Sequence, residues 1–165
     1  MRTLVLGLGN ELASDDGVGI LAARALRGGL AGRADVVESA ASGLALLDVL
    51  AGYDRAILLD AVRTGRRPPG TVVELGLDEI GPVLAPSTHQ AGLPELAVIA
   101  ERLGLVFPRR TVVLAMEVVD PFTLGGPLSP PVRRALPDLV RRTRAILDAW
   151  AREEASCTTS TPSGS

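Results

Sequence analysis

Three short segments of this sequence carry side chains able to do chemistry. The stretch Gly9-Asn10-Glu11-Leu12-Ala13-Ser14-Asp15-Asp16-Gly17 holds two adjacent aspartates where a helical pattern begins. Asp60 follows the apolar run Ala56-Ile57-Leu58-Leu59 directly, and His89 stands in Pro86-Ser87-Thr88-His89-Gln90 just ahead of another helical pattern. Ser or Asp at 14–16 can cap the helix, and acids in a first turn suit its dipole. Capping does not require both aspartates, so at least one keeps a free carboxylate. A carboxylate at the end of a buried strand is costly unless something compensates it. Two carboxylates and one imidazole, if gathered, make a mixed oxygen and nitrogen site for a divalent transition metal.

Competing chemistries are short of residues. All 17 basic residues are arginine, so no Schiff-base or P-loop lysine exists, and His89 is the only imidazole. The one cysteine, Cys157, lies near the end of the chain and excludes an internal disulfide framework or a Cys-rich zinc site. No Gly-x-Ser-x-Gly elbow surrounds Ser14, Ser42 or Ser87, and Ser87 is too close to His89 in sequence to pair with it easily. Gly7-x-Gly9 after a strand invites a dinucleotide reading, with Glu38 as a ribose-binding acid. Against it, Leu12 replaces the third glycine, and the aspartates would repel phosphate.

The elements that must position these groups are legible from periodicity. Thr3 to Leu8 reads as a buried strand, followed by a helix from Gly17 that Gly28-Gly29 ends. Asp35 to Ser39 is a second strand, Ser42 to Ala51 a helix, and Arg55 to Val62 a central strand covered on both faces. After a turn-rich link, Thr71 to Leu75 reads as a strand antiparallel beside its predecessor, toward an edge. Residues 78 to 90 read as loop, Gly92 to Leu103 as a helix stopped by Gly104, and Thr111 to Val118 as the last strand. A loop over 120 to 131 precedes a final helix with Val132, Leu136, Leu139, Thr143, Ile146 and Trp150 on one stripe. Pro137 predicts a kink in that helix or its start.

The order β-α-β-α-β-β-α-β-α predicts a single-domain three-layer α/β/α sandwich, with a mostly parallel, doubly wound sheet and one antiparallel strand. Its boundaries are expected at 1–151, with 152–165 a disordered polar tail. Ligands of such sheets sit beyond the carboxyl ends of the strands, which is where all three segments fall.

Length and composition agree with one such domain. The chain has 165 residues, 47% of them hydrophobic, and a formal charge of −2, which leaves no basic footprint for nucleic acid or an anionic membrane. Its apolar runs are far shorter than a membrane span, and the first residues lack the h-region of a signal peptide, so a cytoplasmic location is expected.

At these same residues the sequence resembles the hydrogenase maturation proteases, endopeptidases that trim the C-terminal extension from the large subunit of nickel-iron hydrogenases. Leu4-Val5-Leu6-Gly7-Leu8-Gly9-Asn10 with Asp15-Asp16-Gly17-Val18-Gly19 resembles the family's first motif. Leu58-Leu59-Asp60-Ala61 matches its second acidic position, and Ser87-Thr88-His89 with Gly92-Leu93 its histidine motif; Gly43-Leu44 with Leu47 also fits. The resemblance covers residue 1 to about 150. It implies that Asp16, Asp60 and His89 are the catalytic and metal-contacting trio, with Asp15 as neighbour, and some members carry Glu in place of Asp16. Ser39-Ala40-Ala41-Ser42 departs from the Gly/Thr-rich loop of many relatives. The implied partner is a large-subunit precursor already loaded with nickel, so the metal arrives with the substrate and serves as a recognition element. The implied hydrolysis is of aspartic type or metal-dependent. Two other readings are a non-catalytic nickel-sensing or nickel-binding module and a Rossmann-like nucleotide-binding domain.

Overall fold

Alternation of side chains along each strand decides the layers. In the computed structural model, which describes residues 1–80, 89 and 92–158, five strands form one sheet: β1 (Thr3–Leu8), β2 (Asp35–Ser39), β3 (Arg55–Val62), β4 (Val72–Gly76) and β5 (Arg110–Glu117). Their spatial order is β2-β1-β3-β5-β4. Val5, Ile57, Leu59, Leu114 and Met116 point to one face and are covered by helices α1 (Val18–Leu26) and α4 (Pro130–Thr158). Leu4, Leu6, Leu8, Ala56, Leu58, Val113 and Ala115 point to the other and are covered by α2 (Leu46–Leu50) and α3 (Leu93–Arg102). This is the period of two expected of strands. Every residue of β3 is buried, as its continuous apolar run requires.

The mostly parallel α/β/α sandwich expected from the element order is present, and two details differ. β4 is antiparallel and at the edge, but it pairs with β5 (Val73 opposite Ala115) and not with β3. β5, buried from Val113 to Glu117, takes the interior place beside β3 in parallel register (Asp60 opposite Ala115). β4 carries partly exposed residues and the exposed Glu74, and so suits an edge. The second difference is the end of the chain. α4 runs through Pro137 and beyond the expected boundary at 151, as far as Thr158. Beyond that boundary, Glu154 pairs with Arg55 at 2.5 Å and Glu153 with Arg110 at 2.5 Å. Trp150 lies under both guanidinium groups. The side chains of Glu153 and Glu154 are therefore bound to the body of the sheet, and only 159–165 of the expected tail fall outside the described residues.

Glycines set how closely α1 lies on the sheet. A Cβ on Gly19 would stand 2.2 Å from the Leu59 carbonyl oxygen and 2.5 Å from that of Leu8. Gly7 faces it, with the Gly19 carbonyl oxygen 2.5 Å from where its own Cβ would be. This contact draws the start of α1 down onto the carboxyl ends of β1 and β3. No helix among the described residues is long and apolar enough to cross a membrane.

Candidate active site

The carboxyl ends of β1 and β3 lie side by side, with Gly7 opposite Leu59. From β1 the chain turns at Gly9, whose φ of +134° is open to glycine and whose Cβ would be 1.9 Å from the Asp16 carbonyl oxygen. The turn passes through Ser14, held at φ +43°, and a short 3-10 segment, Ser14–Gly17, before α1. It brings Asp16 back over the end of β1, where Asp16 Oδ2 accepts a hydrogen bond from the Asn10 N–H at 2.8 Å.

Asp16 and His89 meet, with His89 Nε2 3.7 Å from Asp16 Oδ2 and both side chains mostly buried. The other ring nitrogen, Nδ1, is 3.1 Å from the Ala41 carbonyl oxygen. A carbonyl can only accept, so Nδ1 carries a hydrogen and Nε2 is turned to Asp16. The Asp16 carboxylate beside Nε2 raises the imidazole pKa from 6.5 to about 9 against the opposing effect of burial, with help from the negative charge of Asp60 and the Ala41 carbonyl. Asp60 is fully buried within β3, on the face covered by α2 and α3, and one of its oxygens accepts the Ala61 N–H at 2.9 Å. The structure thus brings Asp16 and His89 side by side, and the charge of Asp60 acts on the ring as well. Among the described residues no three His, Cys, Asp or Glu side chains are gathered closely enough to hold a metal ion by themselves.

Asp15 has a different task. It is fully buried, and its carboxylate accepts the N–H groups of Val119 (3.0 Å), Asp120 (2.9 Å) and Ser129 (2.7 Å) and the Ser129 hydroxyl (2.8 Å). The capping role expected near 14–16 is not seen, for neither the 3-10 segment nor α1 has a side-chain cap. Asp15 instead fixes both ends of the loop between β5 and α4. Glu38, a candidate for ribose binding, is bound by Arg24 and Arg27 at 2.7 and 2.8 Å. With Asp16 against the turn at Gly9, the place a pyrophosphate would need is filled by the chain's own acid.

A cleft of about 730 Å³ opens above this pair, lined by Asn10, Ala13, Asp16, His89, Arg63 and Phe122 among others. Its far wall rests on a residue that sequence reasoning missed. Glu117, buried at the end of β5, accepts the N–H groups of Thr64 and Gly65 and the Thr64 hydroxyl at 2.6 to 2.7 Å. The same signal that marked Asp60, an acid ending an apolar strand, was available for Glu117. The residues flanking His89, including the serine and threonine of its motif, lie outside the described residues.

A model of the hydrogenase maturation protease family matches residues 21–146. The chain belongs to the hydrogenase maturation protease family. It is 31% identical over 154 residues to the hydrogenase expression/formation protein HupD of Rhizobium leguminosarum bv. viciae, covering 90% of this chain and 75% of the relative. It is likewise 31% identical over 127 residues to the hydrogenase 2 maturation protease of Escherichia coli K12, covering 73% of this chain and 77% of that one. Among solved structures, the hydrogenase maturating endopeptidase HybD of Escherichia coli superposes with a TM-score of 0.71 at 28% identity, over 90% of this chain and 93% of HybD. The [NiFe] hydrogenase maturation protease HybD of Thermococcus kodakarensis gives 0.70 at 26%, over 89% and 99%. Maturation proteases are thus the relatives by sequence and by fold alike.

Proposed function

We propose that this protein is the endopeptidase that removes the C-terminal extension from a nickel-iron hydrogenase large-subunit precursor once that precursor carries nickel. The observation that supports this most is the Asp16–His89 pair at the floor of an open cleft, with Asp60 behind it, in a member of this family. Nickel is cargo of the substrate. His89 lines the cleft beside Asp16, and the Ala41 carbonyl keeps the ring's remaining hydrogen on Nδ1. On meeting the metal the ring releases its Nε2 proton to solvent and offers that lone pair, and Asp16 and Asp60 offer carboxylate oxygens. An incomplete set of this kind engages the metal strongly only when the precursor supplies the remaining ligands, so engagement reports that nickel has been loaded.

Hydrolysis requires a water oxygen to attack the scissile carbonyl carbon while its proton passes to a base. The C–N bond then breaks, and the leaving amine takes a proton. The carboxylates of the trio are the bases this site contains. The test is intact-mass analysis of the precursor after incubation with this protein, with and without nickel loading. Loss of a C-terminal peptide from the loaded form alone, abolished by Asp16→Ala and by His89→Ala, is the expected result. An unchanged mass in a precursor that is nickel-loaded and bound would instead favour a non-catalytic nickel-sensing module.

A further inference from the structure

Next to the cleft the fold holds large apolar side chains out in water. Leu12, Phe122 and Leu124 are 68%, 70% and 74% exposed. Leu12 lies on the β1–α1 turn, and the other two lie on the strap that joins β5 to α4. The two segments are stapled together, for the Gly125 N–H bonds the Leu12 carbonyl at 2.8 Å and the Ser14 hydroxyl bonds the Pro127 carbonyl at 3.0 Å. Beneath the staple sits Asp15, whose buried carboxylate takes hydrogen bonds from both ends of the strap. A carboxylate withdrawn from water is expensive, and here it is satisfied by three backbone N–H groups and the Ser129 hydroxyl, which it locks in place. A slack loop would fold its apolar side chains inward. This one is braced so that it cannot. Phe122 also carries the Arg63 guanidinium, 5.7 Å from its ring centroid.

We propose that Leu12, Phe122 and Leu124 form a docking rim for the large-subunit precursor, receiving apolar side chains that border its cleaved segment. This rests on the function proposed above. Continuity with the cleft argues for that occupant. Phe122 and Ala13 line the cleft itself. Asp16 and His89 line that same cleft, so a peptide from a folded protein that is presented to them lies beside Phe122. Whatever surrounds that peptide on the partner must then press against the rim. A braced aromatic and two leucines held out in water form the kind of exposed apolar patch that marks a protein interaction site. Asp15 is accordingly a positioning residue: it presents the rim and touches no reacting atom.

The test compares the double variant F122S/L124S with a control, L103S/V106S, which removes apolar side chains that are also well exposed from the α3–β5 connection, at the opposite end of the parallel strands. Affinity for the nickel-free precursor is measured by biolayer interferometry, and KM and kcat for the loaded precursor by mass analysis. The rim variant is expected to lose at least tenfold in affinity and to show the loss in KM, with the control unchanged and both variants folded by circular dichroism. Equal affinity and KM in the rim variant and wild type would overturn the proposal. So would a wild-type dimer that the rim substitutions dissolve while precursor affinity stays the same. Wild type that binds but never cuts the loaded precursor would sink the protease reading, while the rim would still be judged by the affinities alone.

Discussion

At the residue scale the cleft is governed by what His89 touches. Asp16 on Nε2 and the Ala41 carbonyl on Nδ1 both favour the imidazolium, and its pKa rises to about 9. A raised native pKa means that the folded state binds the proton more tightly than the unfolded chain does. The stabilisation is therefore complete below about pH 6.5 and fades as pH climbs through 9. After discounting for the solvent that still reaches this mostly buried ring, it amounts to roughly 1–2 kcal/mol. Urea midpoints of the metal-free protein are expected to fall between pH 6 and 9.5 by more in wild type than in Asp16→Asn. Parallel pH profiles in wild type and His89→Gln would show that the pair contributes nothing. The two adjacent aspartates show how far identical side chains can diverge. Asp16 faces the cleft and the histidine, whereas Asp15 is buried against backbone N–H groups of residues more than a hundred positions away.

At the scale of elements, α1 is placed by absent side chains. The carbonyl oxygens that a Cβ on Gly19 would strike belong to backbone of β1 and β3, which cannot swing aside. Gly19→Ala is expected to push α1 off the sheet at a cost of about 3 kcal/mol or more, carrying Asp16 away from His89. Gly28→Ala, with open space around its Cβ, should change stability by less than about 0.5 kcal/mol. Equilibrium denaturation of the two variants checks both, and equal losses would refute the close-packing account. Strands and helices were legible from the sequence because apolar periodicity is local: β2 at Asp35–Ser39 and β3 at Arg55–Val62 lie where the pattern places them. The neighbour of β4 was not legible. A short link allows a hairpin but does not compel one, and β5, more apolar than β4, outcompetes it for the interior position beside β3.

At the scale of the whole molecule, the end of α4 closes the amino side of the sheet, opposite the cleft. Arg55 is largely buried, and Glu154 is its carboxylate partner at 2.5 Å. Trp150 is packed beneath Arg55 and Arg110, with ring centroids at 5.5 and 5.0 Å. Ending the chain after Ala151 removes both glutamates and strands a buried guanidinium, which is expected to cost about 3 kcal/mol. Calorimetry of that truncation should show a clear fall in Tm, and an unchanged Tm would place the domain boundary at 151 after all.

The residues that could do chemistry were visible in the linear order alone: Asp16 where a helix begins, Asp60 at the end of an apolar run, His89 as the only imidazole. So were the layered fold and the end of the sheet at which Asp16 and His89 meet, because the side-chain period and the succession of elements are properties of neighbouring residues. Tertiary structure alone decided which partners those residues keep. It sets the Ala41 carbonyl on a histidine 48 positions away, buries Asp15 beneath a strap 104 to 114 positions away, and turns Glu117 into the support of the opposite wall. The physical reason is that these partners are mostly backbone N–H and C=O groups. Nearly every residue carries them, so no side-chain pattern distinguishes the one that folding brings into contact.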